Sequence, residues 1–324
     1  MKLRFVESRS TNPFLNVAVE NYFLSLPDDE TITLYLWRNH RTVVIGMNQN
    51  PFAECNVETL EAEGGYLMRR RTGGGAVYHD DGNLNFSFVA SNALYDQQKQ
   101  FSVLMRAVAM FGLNTELSGR NDVLCNGRKF SGNAFAKGKY NRLHHGTILI
   151  GGNMTDMQRY LKVKQTKLQK HGVASVQSRV VNLGELNDAI TCQTIAPMLL
   201  QAFEEVYDTK ADVLDWDCVS GLEGVLTLRD EFASNEWRFG NWREFKAQFS
   251  KQYSWGNVDI ELNIDEEHRK IIDVSVATDS LDVELSSLLK QMLIGASTEE
   301  KPPVPKDWST ERQMAATDVL TLIY

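Results

Sequence analysis

Cysteine is scarce in this 324-residue sequence: Cys55, Cys125, Cys192 and Cys218 lie far apart, and no CxxC pair occurs. That argues against a disulfide framework or a thiolate zinc site and fits reduced thiols in a cytoplasmic protein. Proline is sparse as well, with seven residues in all, three of them in the run LysProProValPro at 301–305. No apolar stretch approaches the roughly 20 residues that span a bilayer, so no membrane role is expected. The opening MKLRFVESRS lacks a long apolar core and a small-residue cleavage site, which speaks against a secretory signal. Positive charge is in deficit: 34 Lys and Arg against 42 Asp and Glu give a net charge of −8. A duplex nucleic-acid binder usually carries a basic face, so that class is disfavoured. No HExxH or other helix-spaced ligand pair appears, and no structural metal is expected.

What is present is ordinary globular material, with 43% hydrophobic and 23% charged residues. Such a chain is long enough to bury a substantial core. Residues 3–6 read as a strand, and Thr11-Asn12-Pro13 starts a helix with a cap followed by proline in the first turn. Residues 31–37 and 42–46 read as paired strands joined by a polar turn. Residues 84–89 alternate Leu84, Phe86 and Phe88 with polar partners, as a half-buried strand does. Helices are predicted over 102–111, ending at Gly112, and over 193–207; strands over 129–135 and 146–150. Strands and helices mix without strict βαβ repetition, which predicts an α/β (α+β) fold with a mixed sheet flanked by helices rather than a doubly wound one. After the cluster Trp237, Phe239, Trp242 the pattern changes to strands at 257–264 and 270–277 and helices at 281–293 and 309–322. The expected division is a catalytic domain over 1–245 and a small α/β accessory domain over 249–324.

Three segments carry chemistry because polar residues interrupt apolar strands. The first is ArgArgThrGlyGlyGlyAlaValTyrHisAspAspGlyAsnLeuAsn, 70–85. Three consecutive glycines cost backbone entropy and permit close approach with exposed N–H groups, an anion nest. Arg69, Arg70 and Arg71 could grip phosphate or carboxylate through paired hydrogen bonds. No Gly-Lys-Ser/Thr follows, so this is not a Walker A loop. A solvated glycine turn is the competing reading. The second is GlyArgAsnAspValLeuCysAsnGlyArgLysPheSerGly, 119–132, where Asp122 and Lys129 bracket a hairpin turn at Asn126-Gly127. A carboxylate there could hold Mg²⁺ together with substrate phosphates. The third is HisHisGlyThrIleLeuIle, 144–150. Its adjacent histidines point to opposite faces of a strand and cannot jointly ligate one metal.

Together these segments resemble the lipoate–protein ligase A family of the biotin/lipoate ligase superfamily. The match takes in AsnValAlaValGlu (16–20), LeuTrpArgAsn (36–39), ThrValValIleGly (42–46), the glycine loop and GlyAsnLeuAsnPheSerPhe (82–88). It continues through GlyArgAsnAsp (119–122), LysPheSerGlyAsnAla (129–134), HisHisGlyThr (144–147) and SerValGlnSerArgValValAsnLeu (175–183), with ThrAspSerLeu (278–281) in the accessory part.

The resemblance implies a fold of the biotin ligase and class II aminoacyl-tRNA synthetase kind. It implies ATP and Mg²⁺ as cofactors and lipoate, or octanoate, as substrate. Lipoyl-AMP would form first, and the acyl group would then pass to a lysine on a lipoyl domain of a 2-oxoacid dehydrogenase E2 subunit or on glycine-cleavage H protein. Lys129 is the implied catalytic residue, touching the lipoyl carbonyl oxygen and the α-phosphate. Asn83 and Asp122 are implied for phosphate and Mg²⁺. Trp37, Val44, Val77 and His79 would border the acyl slot, where each buried methylene contributes about 0.8 kcal/mol. Arg70, Thr72, Gly73, Gly74, Gly75, Ser131, Gly132, Asn133, His145, Gly146 and Thr147 complete the implied lipoate/adenylate site. The lysine-bearing stretch 162–180 matches an adenylate-covering loop. Thr72 departs from the commoner serine but keeps the hydroxyl. Cys125 has no histidine beside it in sequence and is not expected to be a nucleophile. The alternatives are an ATP-independent octanoyl or lipoyl transferase, a biotin ligase, and a non-catalytic ligand-sensing regulator. A monomer is expected.

Overall fold

A computed structural model describes residues 1–119, 121–162, 180–240, 247–265 and 268–324. The expected covering loop (162–180) lies almost wholly outside them, as do Arg120, Trp242 and residues 175–179 of the 175–183 motif. By its contacts the chain forms two compact units. The first comprises Met1–Val44, Cys55–Met68 and Val77–Arg238; the second comprises Ile45–Glu54, Arg69–Ala76 and Phe239–Tyr324.

The first unit is built on an eight-stranded mixed sheet. Its strands are β1 (Lys2–Glu7), β2 (Thr31–Trp37), β6 (Asn83–Ser91), β7 (Thr115–Ser118), β8 (Asp122–Cys125), β9 (Arg128–Lys137), β10 (Asn141–Leu149) and β11 (Ala211–Val213). They lie in the order β11-β1-β2-β6-β10-β9-β8-β7. Three further strands, β3 (Thr42–Ile45), β4 (Tyr66–Arg69) and β5 (Val77–His79), form a small sheet in the order β4-β3-β5.

Helix α1 (Pro13–Ser25) starts where Asn12 accepts from the amides of Phe14 and Leu15 and Pro13 takes the first turn. It packs with Tyr35, Trp37, Val44, Val89 and Leu143 on one face of the large sheet. The other face buries Leu84, Phe86 and Phe88 against α2 (Gln97–Ala109) and α3 (Cys192–Tyr207). Gly112 follows α2 at a positive φ of 77°, where L side chains are strained.

Two expectations are corrected. Residues 31–37 and 42–46 are not paired with each other: β2 lies between β1 and β6, and β3 pairs with β5. All seven residues of β2 are buried, which a hairpin edge could not provide. Residues 83–91 are buried along their whole length rather than on one face. The polar face of β6 lies under α1 and the site, not in solvent.

In the second unit β12 (Ala247–Tyr253), β13 (Gly256–Asp265) and β14 (Lys270–Thr278) form an antiparallel sheet. Helices α4 (Leu285–Leu293) and α5 (Thr310–Ile323) close its core of Trp255, Val258, Ile260, Val274, Leu289 and Val319. The strand β12 has no counterpart in the sequence reading, because only Ala247, Phe249 and Tyr253 alternate there among polar residues. No helix of the described residues is long and apolar enough to cross a membrane.

Candidate active site

The candidate residues of the first unit are brought together by register. Trp37 pairs with Asn85, Asn85 with Thr147, and Gly132 with Asp122. The Gly132 amide donates to Thr147 Oγ1 at 3.3 Å, joining the two halves of this row. One line therefore crosses five strands: Trp37, Asn85, Thr147, Gly132, Asp122.

At the polar end, Asn126 and Gly127 have φ of 52° and 71°, the left-handed pair that a tight hairpin needs. The turn folds β9 back on β8 and sets Lys129 Nζ 2.7 Å from Asp122 Oδ1, with both side chains 35% exposed. A Cβ on Gly132 would lie 2.9 Å from Lys129 Nζ and 3.0 Å from its Cε, so the lysine runs directly over this glycine and a larger residue there would displace it. Cys125, three residues from Asp122, is fully buried, and burial raises its thiol pKa. It is no poised nucleophile.

At the apolar end, Trp37 is 4% exposed and sits edge-on to His79, ring centroids 6.1 Å apart. Val44 and Val77 pack in the same cluster and face each other across β3 and β5. His79 Nδ1 lies 3.3 Å from Asn39 Nδ2. The indole N–H of Trp37 donates to Ser87 Oγ at 3.0 Å, and Ser87 donates to Glu20 Oε2 at 2.5 Å. The same carboxylate oxygen meets His145 Nδ1 at 2.8 Å. Glu20 is 2% exposed. A buried carboxylate costs several kcal/mol unless hydrogen-bonded, and here both partners lie on the sheet face that carries Trp37.

Glu20 and Ser87 escaped the sequence reading as site residues. The signal was available: Glu20 shares the α1 face of Val17 and Phe23, and Ser87 continues the alternation Asn83, Asn85. Asn83 donates to Asn85 Oδ1 at 3.0 Å, while its own Oδ1 is buried with no hydrogen-bond partner among the described residues. That oxygen can accept from a hydroxyl or meet a cation; it repels a phosphate oxygen.

Other candidates are placed differently. The histidines of 144–147 split as expected. His145 joins Glu20, whereas His144 lies on the opposite face among Phe86, Phe88, Phe101 and Phe135. Asn133 Oδ1 is 2.8 Å from His144 Nε2 and 3.3 Å separates its Nδ2 from Ser131 Oγ, so these two side chains turn to that buried face as well. A Cβ at Gly146 would meet Phe86 Cζ at 2.8 Å and Asn133 Oδ1 at 2.9 Å, on the same side.

Burial, then the neighbouring His145, lowers the His144 pKa to about 3. An unfolded histidine titrates near 6.5, so the neutral ring stabilises the fold above that pH, and the contribution is lost as pH falls toward 3. Urea unfolding of wild type and His144→Gln at pH 7 and pH 5 should show the stability gap shrinking by about 2 kcal/mol, at about 1.4 kcal/mol per pH unit below 6.5. A gap independent of pH would mean that the ring is not held neutral.

In the second unit, Arg70 is 8% exposed and donates to Thr72 Oγ1 and to the carbonyls of Gly73 and Gly75, at 3.0, 2.7 and 2.9 Å. The guanidinium thus braces the glycine loop from within. Arg69 binds the carbonyls of Met47 and Gln49, each at 2.8 Å, and burial lowers its pKa to about 10. The Gly74 amide donates to Ser280 O at 3.1 Å. Among the described residues no cluster of three or more His, Cys, Asp or Glu could hold a metal.

The family model of the lipoyl protein ligase A/B catalytic domain matches residues 12–204, and that of the bacterial lipoate protein ligase C-terminus matches 243–302. The chain belongs to the lipoate–protein ligase A family. A lipoate-protein ligase A of Psychrobacter cryohalolentis is 38% identical over 300 residues, covering 90% of this chain and 88% of the relative. Among solved structures, P. falciparum LipL1 in complex with lipoate superposes with a TM-score of 0.81 at 28% identity, covering 98% of this chain and 99% of that one. A lipoate-protein ligase A bound with ATP gives a TM-score of 0.61 at 25% identity, covering 74% of this chain and 99% of the other. Membership of this ligase family makes lipoate ligation the activity of the chain, and the mixed sheet with a small C-terminal sheet is the family's architecture.

Proposed function

We propose that the chain joins lipoate to protein in two ATP-dependent steps. The lipoate carboxylate attacks the α-phosphorus of ATP, a P–O bond forms, and pyrophosphate leaves. The ε-amine of an acceptor lysine then attacks the acyl carbonyl, AMP leaves, and the amine loses a proton. Lipoyl domains of E2 subunits and H protein are the acceptors this reading assigns, in the cytoplasm, with the enzyme acting as a monomer.

The observation that carries it is the row across the sheet. An apolar anchor, Trp37 with Val44, Val77 and His79, stands at one end, and the Lys129–Asp122 pair at the other. Three interstrand spacings separate Trp37 from Gly132, about 14 Å at backbone level. Side chains reach inward from both ends, which suits an extended acyl chain with a polar head. Lys129 supplies a compact cation where carboxylate and phosphate, both anionic, must meet. It also remains to stabilise charge on the α-phosphate oxygens as pyrophosphate departs. Trp37, fixed through Ser87 and Glu20, orients the acyl group. The glycine loop of the second unit, Gly73, Gly74 and Gly75 with Thr72, keeps its reading as a place where ligand approaches the backbone; its anion-nest role rests on Gly75, since the Gly74 amide is given to Ser280 O. Asp122 is a single carboxylate, which fits Mg²⁺ only as an ion carried mainly by the ATP phosphates; there it would neutralise phosphate charge.

The test is incubation of purified protein with Mg-ATP and lipoate, without acceptor. Pyrophosphate release and lipoyl-AMP by mass spectrometry are the expected products; octanoate and biotin run in parallel rank the acids. Folded protein that makes no adenylate from any acid would point instead to a transferase that needs a preactivated acyl donor.

A further inference from the structure

The buried face of the sheet holds a chain of side chains that the two-step reaction does not use. Gln100 on α2, His144 on β10, Asn133 on β9 and Asn121 before β8 are linked in sequence. His144 Nδ1 is 3.0 Å from Gln100 Oε1, and His144 Nε2 is 2.8 Å from Asn133 Oδ1. A neutral imidazole has one N–H. It cannot donate to both oxygens; turning the Gln100 amide by 180°, which employs an Nε2 that has no partner among the described residues, lets the ring donate to Asn133 and accept from Gln100. Asn133 Nδ2 donates to Asn121 O at 3.0 Å, the Asn133 amide donates to the same oxygen at 2.9 Å, and Asn121 Nδ2 returns a bond to Asn133 O at 2.7 Å.

The position of this clamp is what gives it a consequence. Asn121 precedes Asp122, and Asn133 follows Gly132, the residue that Lys129 crosses. The β8–β9 register also shifts between Val123 and Leu124, directly beside the pair. A ladder with a bulge does not by itself fix the spacing of the residues around it. The three bonds between Asn121 and Asn133 do so from below.

We propose that His144, Asn133 and Asn121 form a positioning relay that sets the Lys129–Asp122 pair for the nucleotide step. The inference rests on the two-step reading above. It makes residues on the face away from the acyl slot govern the chemistry at Lys129 and leave lipoate binding alone. Displacing a reacting group by about 1 Å can cost on the order of 100-fold in rate.

Two variants test it, Asn133→Ala and the more exposed Asn121→Ala, with the double variant. Lipoyl-AMP formation should fall about 10- to 100-fold in each single variant. Each single variant deletes one of the two side-chain bonds of the same clamp, so the double variant should lose less than the product of the two single losses. Lipoate affinity by calorimetry should stay within about twofold in the same proteins, and hydrogen exchange should quicken at the amides of 121–123 and 131–133. His144→Gln should slow the reaction less than Asn133→Ala, because the clamp itself survives. Adenylation unchanged in Asn121→Ala would overturn the relay, as would equal losses of lipoate binding and adenylation, which denote general damage. Should Asn133→Ala not fold, Asn121→Ala decides alone. A wild-type protein that makes no adenylate sinks the ligase reading itself, and that control separates the two failures.

Discussion

Lys129→Ala should cut lipoyl-AMP formation by about 10²- to 10³-fold, the usual cost of losing a preorganised charge stabiliser. The fold should survive. Both members of the Lys129–Asp122 pair are a third exposed, and such a pair contributes roughly 0–1 kcal/mol. In a protein of this size that is a shift of at most a few degrees in Tm. Lys129→Arg is the informative companion. It keeps the charge, but its planar fork must cross Gly132, where even a methyl group would stand 2.9 Å from the lysine nitrogen. Partial recovery by arginine would show that charge matters more than reach. Pyrophosphate release and calorimetry on the same samples separate chemistry from stability. Adenylate formed at the wild-type rate by Lys129→Ala would remove this residue from the mechanism.

How far the sequence could be read depended on how local the cause was. The cap at Asn12-Pro13, the turn at Asn126-Gly127 and the opposed faces of His144 and His145 follow from neighbours in the chain, and all are found. Strand partnership is set by long-range burial, and the pairing assigned to 31–37 with 42–46 failed for that reason. The same limit applied to Glu20. Its residue type looked like one more charge on a helix, and only the fold puts Ser87 and His145 against it. Arg70 shows the converse. Its type and its place beside three glycines pointed outward to a ligand, yet its donors reach the loop's own carbonyls. Residue type locates a site more readily than it assigns each member's partner.

The glycine loop allows the two uses of glycine to be separated by experiment. A Cβ at Gly73 would lie 2.1 Å from the carbonyl oxygen of Ser280 and 2.9 Å from Leu281 Cα, both backbone atoms that cannot swing aside. Gly73→Ala should therefore destabilise the second unit by at least about 1–3 kcal/mol, the usual cost of overpacking. Gly74 sits at a φ of 92°, where alanine is strained whatever the space. Gly75 is different: its nearest neighbour is Asp279 Oδ2, 3.9 Å from the built Cβ, which is ordinary contact. Among the described residues nothing stands where a methyl group at 75 would go. If the loop serves as an anion nest, Gly75→Ala should unfold like the wild type and yet lose at least about tenfold in lipoyl-AMP formation, because the methyl group stands where a ligand would approach the backbone. Urea unfolding and pyrophosphate release on Gly73→Ala and Gly75→Ala make the comparison. Stability lost at 73 and activity lost at 75 would show a loop whose first glycine admits Ser280 and whose last admits substrate. Full activity in Gly75→Ala would end the case for a nest at that position and leave packing as the reason for three glycines in a row.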